Sequence, residues 1–135
     1  MQTMFGRKKE ARRAKFPAGG WTARELQLYI ENDYDLHRQQ ETPIIRNLMR
    51  KRAAGKFDMR KSIKLYGYLV ESGAKKYAKQ QTGNERDWSR MFNPRERQLV
   101  ATRMARNFKE TADAGQYDDF LPQYALKNRS FRTRR

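Results

Sequence analysis

Residues 58–83 read DMRKSIKLYGYLVESGAKKYAKQQTG, and the spacing of their side chains predicts one long amphipathic helix. Counted at about 100° per residue, Met59, Ile63, Tyr66, Val70, Ala74 and Tyr77 fall on one face, the pattern of a helix buried along one side. Asp58 is placed to cap it, and Gly83 to stop it just beyond Gln81. Opposite the apolar face run Lys61, Lys64, Tyr68, Ser72, Lys75 and Lys79, each three or four residues from the next. The only acid between Lys61 and Lys79 is Glu71, whose helical angle is expected to turn it away from this lysine stripe.

Working towards the N-terminus, Gly55-Lys56-Phe57 is a tight connection, and the segment before it reads as a second helix opened by Thr42-Pro43. Threonine is a good cap, and proline is tolerated in the first turn because its missing N–H has no partner there anyway. Ile44, Ile45, Leu48, Met49 and Ala53 line its apolar face; Arg46, Asn47 and Arg50 line the other. Arg52 falls near the apolar face, where an unpaired guanidinium would be costly. It is expected either to snorkel at the helix C-terminus or to pair with an acid following the first helix. That first helix starts at Thr22-Ala23-Arg24-Glu25, which has capping-box spacing, carries Leu26, Tyr29 and Ile30 on one side, and fades around Asp33 to His37.

Towards the C-terminus, Thr82 to Ser89 reads as polar loop, and Trp88, Met91 and Phe92 as an apolar plug. Asn93-Pro94-Arg95-Glu96 then combines a cap, a first-turn proline and a capping-box glutamate. The helix it opens should bury Val100, Ala101, Met104, Ala105, Phe108 and Ala112, end at Gly115, and carry Arg95, Arg106 and Lys109 outside, with an Arg106–Glu110 pair. Ala54-Gly55-Lys56-Phe57-Asp58 and Ala114-Gly115-Gln116-Tyr117-Asp118 share a pattern of helix stop, glycine, aromatic and aspartate, so two corners are expected to use the same turn. Asp118 to Leu126 is a candidate short fifth helix with Pro122 in its first turn. No window alternates with period two, so no sheet is expected. The fold class is all-α: a compact bundle of four main helices and a possible short fifth.

Charge divides the 135-residue chain into three. The first fifteen residues hold Arg7, Lys8, Lys9, Arg12, Arg13 and Lys15 against Glu10; the last ten, 126–135, hold Lys127, Arg129, Arg132, Arg134 and Arg135 against no acid. These arms carry ten of the sixteen net positive charges, leaving twenty Lys+Arg against fourteen Asp+Glu in a helical domain at 16–125. Phe16-Pro17-Ala18-Gly19-Gly20 reads as the linker between arm and domain. Two polycationic arms on a small domain favour a polyanion, because counterions released from phosphates drive such binding without sequence reading. Simple solubilising tails would show the same charge, but Phe5 and Phe131 fit arms that stack or anchor.

Other chemistries have little support. The chain has no cysteine, which removes disulfides, thiolate zinc sites and cysteine nucleophiles and suits a reducing cytoplasm. No apolar run reaches the ~18 residues of a membrane span, and the start lacks a secretory apolar stretch. The Arg-rich start has one Thr and no Ser, so it reads as an interaction arm rather than a transit peptide. Glu31-Asn32-Asp33-Tyr34-Asp35-Leu36-His37 is the single constellation with metal-ligand side chains, and a fraying helix end accounts for it. There is no phosphate-binding glycine loop, nucleophile elbow or paired histidine, so no catalytic residue, metal or cofactor is expected.

Thr42-Pro43-Ile44-Ile45-Arg46-Asn47-Leu48-Met49-Arg50-Lys51, Gly55-Lys56-Phe57-Asp58, Tyr68-Leu69-Val70 through Lys75-Lys76-Tyr77, and Met91-Phe92-Asn93-Pro94 together carry a resemblance. Over roughly Leu26 to Tyr117 the chain resembles a group of small helical proteins encoded by tailed bacteriophages. The likeness implies a phage origin and a host cytoplasm, and assigns no site residue.

The expected function is therefore non-enzymatic nucleic-acid binding, with RNA or a ribonucleoprotein ahead of duplex DNA and no membrane partner. A recognition helix that reads the major groove favours Arg, Asn or Gln near its N-terminus, whereas the long helix offers Lys, Ser and Tyr. The residues expected at the interface are Arg7, Lys8, Lys9, Arg12 and Arg13 in one arm, Arg46 and Arg50 on the second helix, Lys61, Lys64, Tyr68, Lys75 and Lys79 on the stripe, and Arg129, Arg132, Arg134 and Arg135 in the other arm. The alternative is a phage-encoded protein that binds and inhibits a host protein complex, through an interface built on Trp21, Trp88, Phe92 and the tyrosines.

Overall fold

A computed structural model describes residues 22–121, which contain helices and turns but no strand. Four main helices form the bundle: α1 (Ala23–Asn32), α2 (Thr42–Ala53), α3 (Met59–Thr82) and α4 (Pro94–Asp113). Their starts follow the local chemistry. Thr22 Oγ1 accepts from the Glu25 N–H at 3.1 Å, and Asp58 Oδ1 accepts from Lys61 N–H at 3.2 Å. At α4 the capping box closes both ways, Glu96 N–H donating to Asn93 Oδ1 at 2.8 Å and Asn93 N–H to Glu96 Oε1 at 3.1 Å. Each bond satisfies a donor that the first turn of a helix leaves without a backbone partner.

The entry to α2 differs from expectation. Thr42 is not a cap: its backbone is helical, and the chain runs as helix from Tyr34 through a π turn at His37–Glu41 into α2. Both the Thr42 N–H and its hydroxyl donate to the His37 carbonyl five residues back, the hydroxyl at 3.0 Å. Pro43 explains the wide turn, since its ring would collide with the carbonyl four residues behind it and it has no N–H to offer. The true break lies earlier. Asp33 is extended, ends α1 sharply, and caps the new turn by accepting from Leu36 N–H at 2.9 Å.

The two corners do share one turn. Gly55 and Gly115 have φ of 70° and 82°, left-handed values that glycine adopts without a Cβ penalty. Lys56 N–H reaches back to the Lys51 carbonyl at 2.7 Å and Gln116 N–H to that of Thr111 at 3.1 Å, the same six-residue closure in each. The aromatics that follow meet in the core: Phe57 and Tyr117 both stack with Phe108, at 5.9 and 5.5 Å between ring centroids. Beyond Asp118 the corners diverge. Only a 3-10 turn, Asp118–Phe120, forms, and Leu121 is extended, as a residue before proline should be. The rest of the expected fifth helix, 122–126, lies outside the described residues. The expected polar loop at 82–89 is likewise partly helical, with a 3-10 turn at Glu85–Asp87 and one α turn at Trp88–Met91.

α3 is the axis of the bundle, packed against α1, α4 and the turns that follow it. Tyr66, Val70 and Ala74 are fully buried as the periodicity predicts, but so are Ser62, Leu69, Gly73 and Ala78, while Met59, Ile63 and Tyr77 sit half-buried at the rim. A helix with neighbours on several sides buries a wider arc than a single stripe. On α4 the six residues expected inside are the six found there.

Gly73 lets α1 approach α3 closely. A Cβ placed there would lie 2.4 Å from Ile30 Cγ1, and Ile30 is itself fully buried, whereas a Cβ on Gly67 would meet nothing within 4 Å. The same substitution should therefore have opposite signs on one helix. Gly73→Ala should destabilise, because overpacking costs about 1–3 kcal/mol and outweighs the gain in helix propensity; Gly67→Ala should stabilise by roughly 0.5–1 kcal/mol. Urea midpoints of the two variants moving in the same direction would contradict this packing.

Candidate nucleic-acid interface

Between Thr42 and Val70 the sequence holds Arg46, Arg50, Lys51, Arg52, Lys56, Arg60, Lys61 and Lys64 against a single acid, Asp58. Those eight against one leave twelve Lys+Arg against thirteen Asp+Glu in the rest of 16–125. All of the domain's net positive charge thus belongs to α2, the Gly55–Asp58 corner and the first half of α3. These elements adjoin and bring much of that charge together, with Arg52 set apart by its ion pair to Asp113 and with Asp119 beside Arg46 and Arg50.

A groove of about 400 Å³ lies between α2 and α3 beside this corner. Leu48, almost wholly buried, and the half-buried Leu65 give it an apolar floor; Lys51 of α2, Lys56 of the corner, and Lys61 and Lys64 of α3 line it as well. Tyr68 stands at the α3 end with 60% of its surface exposed, and the Asn47 amide joins from α2. The one carboxylate lining it, Asp58, is occupied by its cap. Lys51, Lys56 and Asn47 were not among the residues expected from the sequence. The local charge count over 42–70 is the signal that points to the two lysines.

The lysine stripe does not act as one line. Lys61, Lys64 and Tyr68 open on the groove, but Lys75 is held by Glu71 at 2.9 Å, a residue expected to point away, and its ammonium lies 5.5 Å from the Trp88 ring centroid. Residues four apart on a helix are neighbours, which is why Glu71 reaches it. Lys79 is exposed beyond, ~27 Å along the helix axis from Lys61 at 1.5 Å per residue. Arg46 and Arg50 are exposed on the far side of α2, above a separate hollow with Asp119, Phe120 and Leu121. Arg7, Lys8, Lys9, Arg12, Arg13, Arg129, Arg132, Arg134 and Arg135, with Trp21, lie outside the described residues.

Other aromatics and charges are committed to the fold. Phe92 is fully buried and stacks with Tyr77, which meets Tyr29 at 4.7 Å; Trp88 is flanked by Lys75 and by Arg97 at 4.5 Å. Phe92 therefore drops out of the surface that a protein partner would meet. Within the acidic stretch after α1, Asp33 is turned inward to Lys76 Nζ at 2.8 Å, the exposed Asp35 lies 3.9 Å from the same ammonium, and His37 pairs with Glu41. No group of three or more metal-ligating side chains comes together among the described residues.

Arg52 is paired, though not with the acids after α1. Its Nη1 donates to Asp113 Oδ1 at 2.9 Å, joining the ends of α2 and α4. Burial alone would raise the Asp113 carboxyl, but hydrogen bonds and charge from Lys109 and Arg52 outweigh it and hold it below the ordinary value. The Lys76 hydrogen bond does the same for Asp33. Because both folded-state values lie below the unfolded ones, these pairs contribute fully above about pH 4 and are lost as pH falls through the depressed values. Asp113→Asn should lower stability by about 1–3 kcal/mol at neutral pH and flatten the acid limb of the stability curve. Parallel curves for parent and variant between pH 2 and 5 (about the carboxyl range) would contradict the assignment.

Compared with protein-family models, with curated proteins and with solved structures, the chain matches none. No helix among the described residues is long and apolar enough to cross a membrane.

Proposed function

We propose that the protein is a non-enzymatic nucleic-acid-binding protein whose domain meets phosphates through the α2–corner–α3 end, reinforced by the basic arms. The observation that carries this reading is a concave surface lined by Lys51, Lys56, Lys61 and Lys64 against one carboxylate, Asp58, within a stretch, 42–70, that holds eight basic residues and one acid. A solvated helix face normally mixes signs; a one-signed concave face concentrates potential and draws in polyanions. RNA or a ribonucleoprotein is favoured over duplex DNA, because the groove is lined by lysines, which chiefly position a protein on a backbone, and not by the planar arginine forks common in major-groove reading. We place this activity in the cytoplasm, where a chain without cysteine is at home. Inhibition of a host protein complex is the alternative, weakened by the burial of Phe92.

The test is a salt titration. Changing Lys51, Lys56, Lys61 and Lys64 together to Gln should reduce the magnitude of the slope of log affinity against log salt by about 3–4 on duplex and about 3 on single strands. Lys75→Gln, which removes an ammonium already held by Glu71, should change it less. An unaltered slope with an unaltered circular dichroism spectrum removes the groove lysines from the interface. Weak salt dependence in the parent would favour the protein-partner alternative.

A further inference from the structure

A phosphate backbone needs cations; it has no use for an apolar floor. The α2–α3 groove has both, together with a largely exposed tyrosine ring and a half-buried amide, and its ~400 Å³ falls in the ~300–1,000 Å³ range of sites that enclose small ligands. In a duplex the bases are stacked inside and cannot reach the bottom of such a groove; an unpaired base can. We propose, resting on the nucleic-acid reading above, that the groove takes an unpaired nucleotide of a single-stranded or looped nucleic acid. The base lies over Leu48 and Leu65 and stacks on Tyr68. Asn47, with one acceptor oxygen and two amide hydrogens, meets the base edge. Lys51, Lys56, Lys61 and Lys64, which line the groove together, meet the phosphates flanking it, and are more charge than one isolated phosphate requires. Stacking on an aromatic ring is tolerant of base identity, so the site selects strandedness before sequence.

The full chain is titrated with a polyuridine oligonucleotide and with a blunt RNA duplex of the same length, across a salt series. Tyr68→Ala should weaken single-strand binding roughly 5- to 150-fold, the range for loss of one stacked base, with its salt slope unchanged and duplex binding unaltered. Tyr68→Phe should retain parental affinity, because the ring and not the hydroxyl carries the contact. An equal loss on both probes, no loss on either, or a loss for Tyr68→Phe equal to that for Tyr68→Ala overturns the proposal. If both probes bind and the lysine variants alter the slope while Tyr68→Ala leaves the ratio of the two affinities intact, this inference alone falls. If neither probe binds in a salt-dependent manner, the nucleic-acid reading falls, and this inference with it.

Discussion

Val70→Asp is expected to leave the chain without a cooperative thermal transition. Val70 is 1% exposed on α3, inside the cluster formed with Tyr66, Leu69 and Ala74. A carboxylate there has no cation to pair with in that apolar set, and burying an unpaired ion costs at least several kcal/mol, against the ~5–15 kcal/mol that holds an entire domain folded. Either the domain unfolds or it must open α3 away from its neighbours to hydrate the charge. Both outcomes remove the near-ultraviolet signal of the packed tyrosines and broaden the melt. A variant that melts like the parent would show that Val70 is not inside the core. Changing exposed Lys79 to Asp is the control, and should leave the melt within about 0.5 kcal/mol of the parent.

The second large effect concerns binding. Trimming the chain to Phe16–Ala125 removes eleven Lys+Arg and one Glu, lowering the formal net charge from +16 to +6. All four main helices lie within 22–121, so the trimmed chain should fold with nearly the parent's stability. Its affinity for nucleic acid should fall by at least ~100-fold near physiological salt, since each arm residue that meets a phosphate adds to counterion release. The salt slope should fall with it, which distinguishes lost phosphate contacts from a damaged domain. If the trimmed chain binds as tightly as the parent throughout a salt titration, the arms are solubilising tails, and inhibition of a protein partner becomes the better reading.

The caps Thr22, Asp58 and Asn93, the stops Gly55, Gly83 and Gly115, and the six buried residues of α4 were all legible from the chain. The caps and stops depend on partners within about six residues and the α4 face on helical periodicity, so local spacing is enough to read them. The break at Asp33 was less legible, because Asp33 is held in place by Lys76, forty-three residues away, as well as by its own cap. Arg52 was recognisably anomalous, but its partner Asp113 lies sixty-one residues along the chain. The burial of Leu69 and Ala78 likewise depended on how many neighbours α3 acquires.

By itself the sequence determined that the domain is helical, where its main helices end and where all but α2 begin, and that the protein is strongly basic; hydrogen bonds and apolar periodicity within a few turns suffice for that. Tertiary structure alone decided which basic residues lie together. The Gly55 corner brings Lys51, Lys56, Lys61 and Lys64 to one groove, while Glu71 and Trp88 engage Lys75. Charge is a property of composition, but a binding surface depends on distances through space, and those are set only when the helices pack.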